Sequence, residues 1–148
     1  MGPRSLACFD EGHPHVGRLF ADGIKAASDH YQRTKIFPIM HVLGIRKSIA
    51  DDNPWLPGAL LKAFSQAKAM AETALSDTSA TKVTMPFVVD TLSQARQLIG
   101  SSIWTYGVPG NEHELDIFLD MHHRQGLSKR RLSVEELFHP ATYEAYSL

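Results

Sequence analysis

The sequence predicts an α/β fold that is mostly helical and has one main strand. Residues 36–46 (IFPIMHVLGIR) are an apolar run rich in Ile and bounded by proline, which is typical of a buried strand. Residues 56–75 instead carry apolar side chains at helical spacing. With 148 residues, the chain is long enough for one domain with a core, or for part of a larger one.

The first elements follow from glycine and proline positions. Residues 1–15 are predicted to be irregular, and residues 16–33 a helix that bends near Gly23. The strand comes next. Asn53 is placed to cap a helix with Pro54 at its first position, and the apolar stripe continues this helix to about residue 76.

Capping residues predict the later helices. One begins near Pro86 and ends at Gly100, a typical C-terminal cap. Another begins at Asn111, has Glu114 in the capping-box position and continues toward residue 126. Residues 133–136 (SVEE) have the same signature before another short helix.

A single strand leaves its backbone groups unpaired, which buried strands normally avoid by pairing with neighbours. Three explanations are open. Residues 5–9 and 82–85 could form edge strands, the chain could be the C-terminal part of a longer protein, or two copies could pair their strands.

Composition limits the partners and the compartment. A formal net charge of −1 gives no support for binding nucleic acid or an anionic membrane. Cys8 is the single cysteine, so there is no internal disulfide, which fits a reducing compartment. No apolar window has the length of a membrane helix and the N-terminus does not resemble a signal peptide, so we expect a cytoplasmic protein.

The eight histidines raise the question of a metal site. His13 and His15 are close in sequence, as are His122 and His123, but neither pair has a third ligand at a recognised spacing. We therefore expect no metal. Phosphate-binding glycine motifs and nucleophile elbows are also absent from the sequence, and no cofactor is expected.

Several collinear segments resemble one enzyme family. They are PRS (residues 3–5), RLF (18–20), TKIFPIMH (34–41), NPW (53–55), KAF (62–64), WTYG (104–107), Asn111, QGL (125–127) and EELF (135–138). Together they are similar to the C-terminal part of the 4,5-dihydroxyphthalate decarboxylase family. The resemblance implies a type II periplasmic-binding-protein-like fold with two lobes around a cleft.

The resemblance has consequences for domain organisation. The chain would be one partial domain, with an N-terminal segment and helix (1–34), a crossover strand (35–47) and a helical C-terminal region (53–148). The resemblance also implies a function: the protein would act on a small aromatic carboxylate in phthalate degradation, releasing CO2 from 4,5-dihydroxyphthalate and leaving protocatechuate. Two alternatives are a binding module for a small anion or aromatic acid without catalysis, and a chain that is inactive alone. Unpaired strand edges and apolar surface predict a homo-oligomer.

Decarboxylation of this kind needs a general acid, and histidine is the side chain that titrates nearest neutral pH. His41, in the apolar run, is the candidate catalytic residue; the alternative is a hydrogen-bonded core histidine. Trp104 and Tyr106 are candidates for holding the substrate ring, or else they pack their loop onto the core. Arg46 is about 16 Å along a strand from His41, so it is predicted to be a surface or hinge cation.

Overall fold

The computed structural model describes residues 3–79 and 82–143, and the regular elements within these ranges are all helical. The chain divides into two compact units, Met1–Lys35 and Ile36–Leu148. The helices are α1 (Pro3–Asp10), α2 (Gly23–Thr34), α3 (Lys47–Asp52), α4 (Leu56–Ser76), α5 (Val88–Ile99), α6 (Glu112–Arg124) and α7 (Val134–Leu137), followed by a 3-10 helix (Pro140–Thr142).

The first unit contains α1 and α2. The prediction that residues 1–15 are irregular is wrong, because α1 begins at Pro3, and proline suits the first turn of a helix. Helix α2 begins at residue 23 rather than 16, since the Asp22 carboxylate accepts a hydrogen bond from the Lys25 amide at 2.9 Å. It ends at Lys35, whose backbone is left-handed with φ of 58°.

The second unit is organised around α4. This 21-residue helix packs against α5 and the 3-10 helix, while α6 packs against α7. Pro57 and Gly58 in its first turn are buried. Among the described residues, the buried apolar side chains are few: Val108, Leu115 and Leu119. The core therefore lies where α6 meets the loop that precedes it.

The predicted strand is wrong. Residues 35–46 have no regular structure, and the described ranges are helical with no strand, so the predicted α/β class is wrong. The periplasmic-binding-protein-like fold is not shown by these helices. Residues 5–9 belong to α1, and residues 82–85 form no strand either. Hydrogen-bonded strands need a neighbour, and none of the described segments supplies one.

The apolar run is also exposed rather than buried. Its side chains are accessible to 39% at Ile39, 65% at Met40, 73% at Val42 and 62% at Leu43, and His41 between them is exposed too. The apolar pattern would predict burial correctly only if another segment or another molecule packed on these side chains. Phe37 packs on Trp104, but residues 39–43 are all exposed, so the expected buried position of His41 is wrong.

Helix ends were predicted with mixed success. Gly100 ends α5 with φ of 120°, and Ser133 with Glu136 forms the predicted capping box of α7. Asn53 does not cap α4; its side-chain amide donates to the Ile49 carbonyl at 3.1 Å and ends α3 instead. In the described part of the chain, none of the helices is long and apolar enough to cross a membrane.

An ion pair fixes the capping box of α7. Arg130 donates to both carboxylate oxygens of Glu136, at 2.9 and 2.5 Å, and the Ser133 amide donates to the same carboxylate at 2.9 Å. The hydrogen bonds from Arg130 have the largest effect and that from the Ser133 amide the next largest, and together they lower the pKa of Glu136 to about 2. The carboxylate therefore stabilises the fold above its ordinary pKa of 4.5, and this stabilisation is lost as the pH falls toward 2.

We expect this shift to be visible by carbon NMR. The Glu136 carboxyl should titrate near pH 2 in the parent protein and move back toward its ordinary pKa of 4.5 in Arg130→Met. Lys129→Met, which removes the preceding cation, is the matched control and should leave the titration unchanged. A Glu136 carboxyl that titrates near its ordinary pKa in the parent would contradict the ion pair.

Candidate functional site

Two predicted site residues share one loop. Trp104 and Tyr106 lie in the loop of residues 100–111, between α5 and α6, and they are 38% and 46% exposed. Each of the two side chains is therefore partly accessible to solvent and partly covered by the protein. We call Phe37, Lys68, Trp104 and Tyr106 the aromatic cluster.

The ring of Trp104 contacts the start of the apolar run. The ring centroids of Phe37 and Trp104 are 4.7 Å apart, with their planes at 57°, a favourable tilted arrangement. The Phe37 amide donates to Oε1 of Glu114 at 3.4 Å. Phe37 is thus held between the loop and α6, four residues before His41.

Lys68 joins α4 to the same loop. Its Nζ donates to the Trp104 carbonyl at 2.5 Å, lies 3.5 Å from Oγ of Ser102, and is 5.2 Å from the centroid of the Tyr106 ring. The last distance is in the range of a cation–π interaction. The side chain is 19% exposed, so much of it is covered by neighbouring residues.

The second half of the loop is fixed by other groups. The Asn111 amide donates to the carbonyls of Thr105 and Gly107, at 3.1 and 2.7 Å. The Val108 amide donates to the Thr142 carbonyl at 3.3 Å. Gly107 has φ of 87°, and a Cβ there would lie 3.4 Å from both Leu61 and the Thr142 carbonyl, so a side chain would be strained.

These bonds explain why the capping box predicted at Asn111 does not form. Asn111 precedes α6 but its side chain makes no capping hydrogen bond, because its amide holds the loop. Glu114 reaches Phe37 rather than the start of its own helix. The sequence predicted that Asn111 and Glu114 cap the start of α6. Instead, Asn111 bonds the loop that carries Trp104 and Tyr106, and Glu114 bonds Phe37.

His41 is not brought into the aromatic cluster by the contacts of the described residues. It follows Phe37 by four positions, so its Cα lies within about 14 Å of the Phe37 Cα at full extension. His41 is exposed, and so is Arg46 immediately before α3. The segment that carries His41 is thus linked to Trp104 through Phe37, and His41 itself is exposed to solvent.

Lys68 was missed by the sequence analysis. It lies on α4 between small apolar residues, with Glu72 four positions later, a pattern that ordinarily indicates an exposed ion pair. The Lys68 and Glu72 groups are in fact 4.0 Å apart, farther than Lys68 is from the loop carbonyl. No local signal in the sequence distinguishes a helical lysine that pairs with a glutamate four positions later from one that bonds a distant loop.

The remaining histidines make local contacts. The rings of His13 and His15 are 5.7 Å apart, and His122 packs on Phe118 at the same distance. Nδ1 of His123 is 3.3 Å from the Ser128 carbonyl. Across residues 3–79 and 82–143, no three His, Cys, Asp or Glu side chains are grouped so that they could hold a metal ion.

Comparison with known proteins tests the resemblance directly. No family model matches the chain. The curated 4,5-dihydroxyphthalate decarboxylase of Comamonas testosteroni is 56% identical over all 148 residues, and the chain spans 45% of the length of that protein. The resemblance predicted from the sequence is confirmed: the chain is similar, along its whole length, to slightly under half of a 4,5-dihydroxyphthalate decarboxylase.

Proposed function

We propose that this chain supplies part of a carboxy-lyase that converts 4,5-dihydroxyphthalate to protocatechuate and CO2 without a cofactor. The observation that carries the proposal is the 56% identity to a curated 4,5-dihydroxyphthalate decarboxylase over every residue of the chain. The proposed enzyme acts in the cytoplasm in the breakdown of phthalates. It takes a small aromatic carboxylate as substrate.

The chemistry of the substrate accounts for a reaction without a cofactor. Each carboxylate of 4,5-dihydroxyphthalate has a hydroxyl group para to it. Ionisation of that hydroxyl sends electron density to the ring carbon that bears the carboxylate, and an acid protonates this carbon. The bond to the carboxylate then breaks, CO2 leaves, and the electron pair of that bond restores the aromatic ring.

Three residues of the chain are proposed to take part. His41 is the acid, because an imidazolium can deliver a proton near neutral pH, and its exposed position leaves it open to a ligand. Trp104 and Tyr106 hold the ring, because both aromatic side chains are partly exposed on a loop that Lys68 and Asn111 fix. The contact between Phe37 and Trp104 links the ring-holding loop to the segment that carries His41.

A substrate series in D2O tests this mechanism in the natural protein that contains the chain. 4,5-Dihydroxyphthalate should release CO2 and give protocatechuate with one deuterium at the ring carbon that lost its carboxylate. Phthalate, which lacks the para hydroxyl groups, should bind but release no CO2. Turnover of phthalate at a comparable rate would contradict the proposed route.

Self-association is a further expectation for the 148-residue chain. The exposed apolar run should be covered by a second copy, because contiguous apolar surface of this kind favours association. Light scattering should give a dimer or larger species, and Met40→Lys combined with Val42→Lys should reduce it to a monomer. Leu19→Lys, at a residue that is 89% exposed in the first unit, is the control and should have no effect. A parent chain that is strictly monomeric at micromolar concentrations would contradict this expectation.

A further inference from the structure

We infer that Lys68 is a positioning residue, whose ammonium group holds Trp104 and Tyr106 in the arrangement that receives the aromatic ring of the substrate. The inference rests on the proposed function for the identity of the ligand. It adds a residue from α4 that neither the sequence pattern nor the chemistry of decarboxylation singles out.

The first argument is the environment of the charge. The Lys68 side chain is 19% exposed, so most of it packs against neighbouring residues. Its shortest contact is with the Trp104 carbonyl at 2.5 Å, a charge-assisted hydrogen bond. The carboxylate of Glu72 is 4.0 Å away, so the loop carbonyl is the main partner of this cation.

The second argument is which loop residues the cation reaches. Ser102, Trp104 and Tyr106 alternate along the chain, and Lys68 contacts a hydroxyl, a carbonyl and an aromatic ring from the three in turn. One side chain on a rigid 21-residue helix thus fixes alternate positions of the loop. Both proposed ring-holding residues are among them.

The third argument separates positioning from general stability. Asn111 holds the carbonyls of Thr105 and Gly107, and Thr142 holds the amide of Val108. These bonds do not involve Lys68, so the second half of the loop keeps its anchors when the lysine is replaced. The loss should therefore be local, affecting the main chain at Trp104 and the ring of Tyr106.

The test compares Lys68→Met and Lys68→Arg with the parent, all carrying Trp55→Phe. The 148-residue chain has two tryptophans, so its fluorescence in this background reports Trp104 alone. Lys62→Met is the matched control, since Lys62 lies on the same helix and is exposed. Each variant of the 148-residue chain is measured for tryptophan emission, acrylamide quenching and helical circular dichroism, and kcat and KM with 4,5-dihydroxyphthalate are measured for the same substitutions in the natural protein that contains the chain.

In Lys68→Met we expect red-shifted emission and stronger quenching of Trp104, with helix content unchanged. KM should rise about tenfold while kcat changes much less, because ring binding rather than proton transfer is impaired. Lys68→Arg keeps the charge and should recover part of both signals. Lys62→Met should match the parent in every measurement.

Unchanged Trp104 emission in Lys68→Met would overturn the inference. So would general loss of helix content in that variant, because it would assign Lys68 a role in the stability of the fold. A parent protein with no decarboxylase activity would contradict the proposed function instead. The fluorescence measurements would still decide whether Lys68 positions the loop.

Discussion

Replacing His41 with Gln should lower CO2 release from 4,5-dihydroxyphthalate by roughly 10²–10⁴-fold, the usual contribution of a general acid. Glutamine has about the same size and retains hydrogen-bonding groups, but it cannot deliver a proton near neutral pH. Substrate binding should change far less than turnover, since the ring is held by other residues. Steady-state kinetics and calorimetric binding on the same preparation separate the two effects.

His41 is exposed, so the substitution should have little effect on stability. His30→Gln, the same change at another exposed histidine, is the control and should leave turnover unchanged. If His41→Gln keeps near-parental turnover per folded molecule, His41 is not the proton donor. A fall in total turnover that only follows the folded fraction is this same outcome, and it would give the residue a structural role.

Replacing Trp104 with Ala should weaken binding of 4,5-dihydroxyphthalate by about 10–100-fold, or roughly 1.4–2.7 kcal/mol. The change removes the proposed stacking face for the substrate and also the contact with Phe37. We expect KM to rise more than kcat falls, because the acid at His41 is retained. Trp104→Phe keeps an aromatic face and should recover much of the affinity.

The control for this prediction is Trp55→Ala, since Trp55 is 66% exposed and lies outside the aromatic cluster. It should bind the substrate as the parent does. Equal binding by Trp104→Ala and the parent would remove Trp104 from the site. A similar loss in both tryptophan variants would indicate a general effect on the fold.

Local signals in the sequence predicted some of the helical elements correctly, although α1 was expected to be irregular. A glycine that ends a helix and a Ser–Glu capping box act within a few residues, so Gly100 and Ser133 were assigned correctly. The stripe on α4 was also assigned correctly, although its start was misplaced because Asn53 closes α3 instead. These elements need no information from the rest of the protein.

The strand could not be predicted correctly because its formation depends on partners. An apolar run rich in Ile is typical of a strand, but the hydrogen bonds that define one must come from another segment. No described residue forms a strand with residues 36–46, and Met40 and Val42 remain exposed. The chain spans 45% of the length of the curated 4,5-dihydroxyphthalate decarboxylase that it matches.

The candidate site was predicted in part for a similar reason. Trp104 and Tyr106 were chosen from the sequence of their loop; they are 38% and 46% exposed, and their part in a site stays a prediction. Lys68, Asn111 and Glu114 reach this loop or Phe37 by contacts between distant positions, such as the 36-residue separation of Lys68 from Trp104. A single sequence carries the residue types but not these contacts.

The central claim is that this chain provides part of a 4,5-dihydroxyphthalate decarboxylase. The most direct measurement incubates the natural protein that contains it with carboxyl-13C-labelled 4,5-dihydroxyphthalate and quantifies labelled CO2 and protocatechuate together. We predict that the two products appear in equal amounts and with catalytic turnover, and that both depend on His41. Binding of the substrate with no release of labelled CO2 would contradict the claim.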